Sequence, residues 1–107
     1  MPKADKQEKD IARYLGGRFQ SNSGGTKFGG GDVHTVKFFI EAKCHKEFKK
    51  NFTIPWEWLQ KAKEQAFEQG KEAWALAFRY REDGEDYFVV PKGEFVEYLE
   101  WKESIND

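Results

Sequence analysis

Two carboxylates and a lysine are the residues whose types and spacing most directly suggest chemistry. Asp32 follows the run Gly29-Gly30-Gly31, and Glu41 and Lys43 close the apolar run Phe38-Phe39-Ile40. Read as a strand, Phe38 to Lys43 alternates faces. Glu41 and Lys43 then point one way, Ile40 and Ala42 the other. If Asp32-Val33-His34 pairs antiparallel with this strand through a tight turn near Val36-Lys37, Asp32 falls opposite Glu41, with Cβ atoms about 5 Å apart. Two carboxylates that close repel unless a cation sits between them. A hard divalent ion such as Mg²⁺ takes one or two carboxylates plus waters and phosphate oxygens. A charged Lys43 does not ligate metal, but it can hold a nucleophilic water or neutralise a phosphoryl oxygen. Together these residues compose a candidate phosphodiester-cleaving site. The plainer alternative is a solvated surface pair bridged by Lys43. The glycines before Asp32 and the apolar residues before Glu41 favour the cleft.

The elements that must position these groups are legible in outline. Asp5 to Leu15 reads as a helix, with Asp5 as N-cap and Glu8 completing a capping box. Ile11, Ala12 and Leu15 form its apolar stripe, and Gly16-Gly17 ends it. Arg18 to Asn22 reads as a short strand or extended segment. Ser23 to Gly31 holds five glycines in nine residues and is expected to be an irregular loop. Its backbone N–H groups can approach phosphate. Lys27 and Phe28 within it are candidates for phosphate contact and base stacking. His34 shares the face of Asp32 in a regular strand, either as a water-positioning base or as a hydrogen-bonded strand residue. Lys46, Lys49 and Lys50 follow the candidate strand and suit backbone phosphate.

Phe52-Thr53-Ile54 reads as a strand or the end of one. Pro55 to Gln69 reads as a helix with Ile54, Leu59, Ala62 and Ala66 toward the core, closed by Gly70. Lys61 or Gln65 can face the site as an auxiliary polar group, although a solvated face explains both. Ala73 to Tyr80, a turn, and Tyr87 to Val90 read as a hairpin. Gly93 to Trp101 reads as a closing helix anchored by Phe95, Tyr98 or Leu99, and Trp101. Helices interleaved with strands in this order suit a mixed sheet flanked by helices, an α/β fold.

The chain of 107 residues suits a single domain, residues 1–107, and its 17% aromatic content supplies much of a core. No apolar run is long enough for a membrane span, and residues 1–10 carry no apolar signal segment. One cysteine, Cys44, cannot form an internal disulfide, which fits a cytoplasmic location. Cys44-His45 alone does not make a zinc site. The net charge of −1 is uninformative, but its distribution is not. Residues 1–50 carry 11 Lys/Arg against 6 Asp/Glu, and residues 51–107 carry 7 against 13. The basic half contains the candidate site, consistent with one face meeting phosphate.

Glu8, Arg18, Asn22-Ser23-Gly24, Gly31-Asp32-Val33, Ile40-Glu41-Ala42-Lys43 and Phe52-Thr53-Ile54 form an ordered set across most of the chain. That set resembles the PD-(D/E)xK nuclease superfamily, and within it the archaeal-type Holliday junction resolvases and their small phage-encoded relatives. Gly31 stands where the pattern name has proline. The resemblance implies a restriction-endonuclease-like core. It also implies a metal-dependent endodeoxyribonuclease of DNA recombination and repair that cuts four-way junctions by paired hydrolytic nicks. By that resemblance Asp32, Glu41 and the Ala42 carbonyl hold Mg²⁺, with Mn²⁺ as a substitute, and Lys43 orients the attacking water. Glu8 and Ser23 complete the site, while Arg18 and Asn22 contact DNA. A homodimer is expected, because paired nicks need two sites. Trp56, Trp58 and Trp101 are candidates for its interface or for half-buried core. If phage-encoded, the protein acts in the host cytoplasm. The alternatives are a repair or restriction-type nuclease on duplex, flap or single-stranded DNA, and a DNA-binding subunit without chemistry.

Overall fold

The structure is a computed structural model that describes residues 4–21, 29–45 and 47–105, and the side chains of residues 6–19, 31–45 and 47–105. Its elements are α1 (Ala4–Leu15), β1 (Arg18–Ser21), β2 (Gly29–His34), β3 (Phe38–Cys44), α2 (Trp56–Glu68), β4 (Ala73–Arg79), β5 (Tyr87–Val89) and α3 (Lys92–Ser104). The five strands form one sheet in sequence order. Strands β1, β2 and β3 are antiparallel neighbours, β3 and β4 run parallel, and β4 and β5 are antiparallel. This is the expected mixed α/β sheet flanked by helices.

Alternation along the strands divides the core. On one face Val33, Ile40, Ala42, Ala75 and Ala77 pack against Ile11 and Ala12 of α1. On the other, Phe39 packs with Ala62 and Ala66 of α2, and Trp74 borders them. The small residues on the first face let α1 approach the sheet closely. Both helices end at a glycine with positive φ, 70° at Gly16 and 68° at Gly70. The following N–H reaches back five residues, from Gly17 to Ala12 O at 2.9 Å and from Lys71 to Ala66 O at 2.8 Å.

The second helix closure also steadies the β2–β3 hairpin. Lys71 Nζ donates to Thr35 O at 2.7 Å. The N–H groups of Glu72 and Ala73 donate to Lys37 O at 2.9 and 3.0 Å. Within the hairpin, Thr35 N–H donates to Phe38 O at 3.0 Å, and Phe38 N–H donates to Thr35 Oγ1 at 3.0 Å. Val36 and Lys37 are therefore the turn, as expected.

Several sequence expectations need correction. The glycine segment is not irregular to its end: Gly29 to Gly31 are strand residues paired with Cys44, Lys43 and Ala42. A glycine in a strand interior often marks close approach by another group, and at Gly31 that group is the Glu8 carboxylate. A Cβ on Gly31 would overlap it. Helix α1 begins at Ala4, so Asp5 lies inside the helix rather than at its cap. Glu8 is fully buried against the sheet instead of closing a capping box. Residues 52–54 are not a strand; Phe52 instead joins an aromatic cluster with Phe78, Tyr80 and Trp58. Helix α3 has no buried residue, so Phe95, Tyr98, Leu99 and Trp101 do not anchor it to the core.

Overlap at Gly31 gives a stability test. Gly31→Ala should destabilise the fold by about 1–3 kcal/mol through overpacking. Adding Glu8→Ala should relieve that cost, making the double variant's loss in urea unfolding clearly smaller than the sum of the two singles. Strict additivity would contradict the contact.

Candidate active site

The β2–β3 register places Asp32 directly opposite Glu41. His34 and Asp32 alternate onto the α2 face with Phe39, Glu41 and Lys43. Both carboxylates and the lysine therefore share one face, near the outer end of the buried part of the strand. Their side chains are recessed but open: Asp32 is 19% exposed, Glu41 13% and Lys43 12%. Lys43 Nζ lies 3.3 Å from Glu41 Oε1 and 4.8 Å from the ring centre of Trp58 on α2. Charge and aromatic face together fix the ammonium. His34 Nε2 lies 2.9 Å from Asp32 Oδ2, and its ring meets the edge of Phe39.

The electrostatics reflect opposed acids in a partly dry place. Burial pushes the Glu41 carboxyl above its ordinary value, Lys43 opposes that rise, and the nearby Asp32 charge adds to it. Lys61, exposed on α2, is close enough to lower it. On β4, Leu76, fully buried, is the register neighbour of Glu41 and keeps water from that side. Burial is the largest of these effects and disfavours the charged carboxylate; the Asp32 charge adds a smaller push in the same direction.

The donor set fits a hard divalent ion. Two carboxylates are what Mg²⁺ asks of a protein when phosphate oxygens and water complete the shell. Among the described residues no group of three or more His, Cys, Asp or Glu side chains converges on one point, so no closed all-protein cage of the structural zinc kind is present there.

The opposite face of the sheet braces the site. Gln7 is fully buried, and its Nε2 donates to Lys43 O at 3.0 Å and to Asp86 Oδ1 at 3.1 Å. Asp86 is held by Arg79 Nε at 2.6 Å and Nη2 at 2.9 Å, and by the Tyr14 hydroxyl at 2.8 Å. Arg79 Nη2 also donates to Asp10 Oδ2 at 3.1 Å. Burial pushes Asp10 up, but Lys6 and Arg79 outweigh it and hold its carboxyl below the ordinary value. This network ties α1, β4 and the turn after it to the backbone of the lysine that the site needs.

The other sequence candidates are distributed as follows. Glu8 lies on the α1 face against Gly31, across the sheet from the Asp32, Glu41 and Lys43 side chains. Ala42 pairs with Gly31 between them in register. Arg18 is exposed on β1 and pairs with His34, on the same face as the carboxylates. Lys49 and Lys50 are exposed in the irregular segment after β3. Asn22, Ser23, Lys27, Phe28 and Lys46 lie outside the described residues. Trp58 and Gln7 were not singled out as site groups by the sequence. Nothing local marks them, since both act through tertiary packing. His34 was legible from its two-residue spacing alone.

Comparison with known proteins finds no matching family model, no matching curated protein and no matching solved structure. No described helix is long and apolar enough to cross a membrane.

The raised Glu41 carboxyl fixes the sign of a pH effect. A folded value above the unfolded one stabilises the ion-free fold below about pH 4.5, and that increment is lost as pH rises through the folded value. At neutral pH in EDTA, Glu41→Gln should therefore raise the melting temperature. The gain should shrink toward pH 4. A lower melting temperature for the variant across this range would contradict the assignment.

Proposed function

We propose that this protein is a metal-dependent endodeoxyribonuclease with a restriction-endonuclease-like core, and that its substrate is a four-way DNA junction. The observation that carries the reading is the direct opposition of Asp32 and Glu41, with Lys43 on the same face and at hydrogen-bonding range of Glu41. The basic first half of the chain and the ordered resolvase-like residues support DNA as the substrate.

In this reading Asp32 and Glu41, with the Ala42 carbonyl, would hold Mg²⁺ or Mn²⁺. The bound ion supplies Lewis acidity and lowers the pKa of its water. The chain's own residues do the rest. Lys43, steadied by Trp58 and by Gln7 on its carbonyl, orients the attacking water and offers positive charge to the phosphoryl oxygen as negative charge builds. His34 holds Asp32 in one orientation through the 2.9 Å contact. Arg18 positions a neighbouring phosphate from the same face. Glu8 and Ser23 belong to the site by resemblance alone; the Glu8 carboxylate packs against Gly31 on the other face of the sheet. Lys27, Lys46, Lys49, Lys50 and Asn22 extend the phosphate contacts without reading sequence. One chain carries one such site, so paired cuts require a homodimer.

The test is incubation of purified protein with a synthetic immobile four-way junction, beside flap and linear duplexes of the same sequence. Paired nicks are expected on the junction with Mg²⁺ and none with EDTA. Lys43→Ala should slow cutting by about 10²–10³-fold, while still binding the junction. Equal cutting of flap or linear DNA would redirect the reading to a repair or restriction-type nuclease. Binding without cutting by the unaltered protein would favour a DNA-binding subunit.

A further inference from the structure

The face that carries the carboxylates also carries a line of aromatic rings. The register that sets Glu41 beside Leu76 and Val89 makes the next row Lys43, Phe78 and Tyr87. The Phe78 and Tyr87 ring centres are 5.8 Å apart and tilted by 32°, and Tyr80 stands edge-on to both, at 5.9 and 6.2 Å. Phe52, from the segment before α2, lies 4.9 Å from Phe78 and 6.2 Å from Trp58. Trp58 is the ring that faces the Lys43 ammonium at 4.8 Å. Rings therefore run without a break from the lysine of the site to the edge strand β5. They are not the sealed core of this face, which is Phe39 with Ala62 and Ala66. Helix α2 packs on β3 and β4, and the line opens toward β5: Phe52, Trp58, Phe78 and Tyr80 are half-buried, and Tyr87 is 50% exposed.

What fits there can be read from the neighbours of these rings. The proposed function sets a backbone phosphate at Lys43, and Trp58 is the aromatic surface beside it. Exposed Lys49 and Lys50 lie on the segment between β3 and Phe52 and suit the adjoining phosphates. The turn beside Tyr80 carries Glu82, Asp83, Glu85 and Asp86, but Asp83 pairs with Arg81 and Asp86 with Arg79, so half of that charge is already matched. A nucleobase offers a flat π-face that stacks on such rings whatever its sequence. In a duplex each base is stacked on its neighbours. An unpaired nucleotide turns a face outward at the least unstacking cost.

We propose that Trp58, Phe52, Phe78, Tyr80 and Tyr87 form a stacking ledge that receives an unpaired nucleobase next to the phosphate held at Lys43. The ledge rests on the nuclease reading for the position of that phosphate. It adds the feature of a branched substrate that is recognised, a base released from its stack beside the scissile bond.

The test is fluorescence anisotropy of two short labelled DNA single strands in EDTA and low salt, one with its bases and one of the same length that is abasic throughout. The full chain should bind the base-bearing strand about fivefold or more tightly than the abasic one. Tyr87→Ala should remove most of that preference. So should Tyr87→Leu, which keeps apolar cover on the sheet but has no π-face, whereas Tyr87→Phe should retain it. Phe67→Ala, at a ring 85% exposed elsewhere on α2, should leave it unchanged. Far-ultraviolet circular dichroism establishes that each variant is folded. Equal affinity for the two strands, or binding of neither, would overturn the proposal. So would a preference that survives both Tyr87→Ala and Tyr87→Leu, or one that Tyr87→Phe loses as fully as Tyr87→Ala. A base preference in a protein that never nicks the junction with Mg²⁺ would remove the nuclease reading and leave the ledge; nicking without the preference would do the reverse.

Discussion

The account depends on one pairing, Asp32 opposite Glu41 across the β2–β3 hairpin. Side chains alternate along a strand, so a one-residue slip would send Asp32 to the α1 face and leave Glu41 without a partner. The register is therefore a constraint on chemistry as well as on packing. It is held at the turn by Thr35 and Lys71, and along the strands by Val33 and Ile40, which must face α1. The same alternation that builds the core delivers two acids and a lysine to the other side.

Holding like charges together costs stability, and the rest of the fold offsets that cost away from the site. Arg79, almost fully buried, is satisfied by Asp10 and Asp86. Breaking such a network by removing one partner is far more damaging than the net worth of the pair. Gln7 carries its rigidity through the sheet to the Lys43 carbonyl. A lysine on a long, flexible stem thereby rises from a braced backbone and ends beside Trp58. Recessed placement excludes part of the solvent, which strengthens the charge interactions the site would use.

Legibility in the sequence followed the range of the interactions. The face shared by Glu41 and Lys43, the turn at Val36-Lys37 and the opposition of Asp32 and Glu41 all follow from period-two alternation and hairpin geometry. These are local rules, and the structure agrees with each. Glu8 is different. A capping pattern at Asp5 and Glu8 competes with a tertiary contact, and the absent Cβ of Gly31 lets the tertiary contact win. The glycines were read as loop punctuation, whereas Gly31 is a strand residue whose missing side chain makes room for a carboxylate. Trp58 and Gln7 escaped because only the folded sheet brings them to Lys43. Helix α3 shows the converse: its apolar spacing is plain in the sequence, but that spacing does not say what the helix packs on.

The central claim is that Asp32 and Glu41 share one divalent cation. It is tested most directly by electron paramagnetic resonance titration of Mn²⁺ into the protein. The account predicts one Mn²⁺ per chain, competed by Mg²⁺, with binding weakened at least tenfold by either Asp32→Asn or Glu41→Gln and unaffected by a substitution at exposed Glu64. Undiminished binding in both variants, or no bound Mn²⁺ in the unaltered protein, would contradict it.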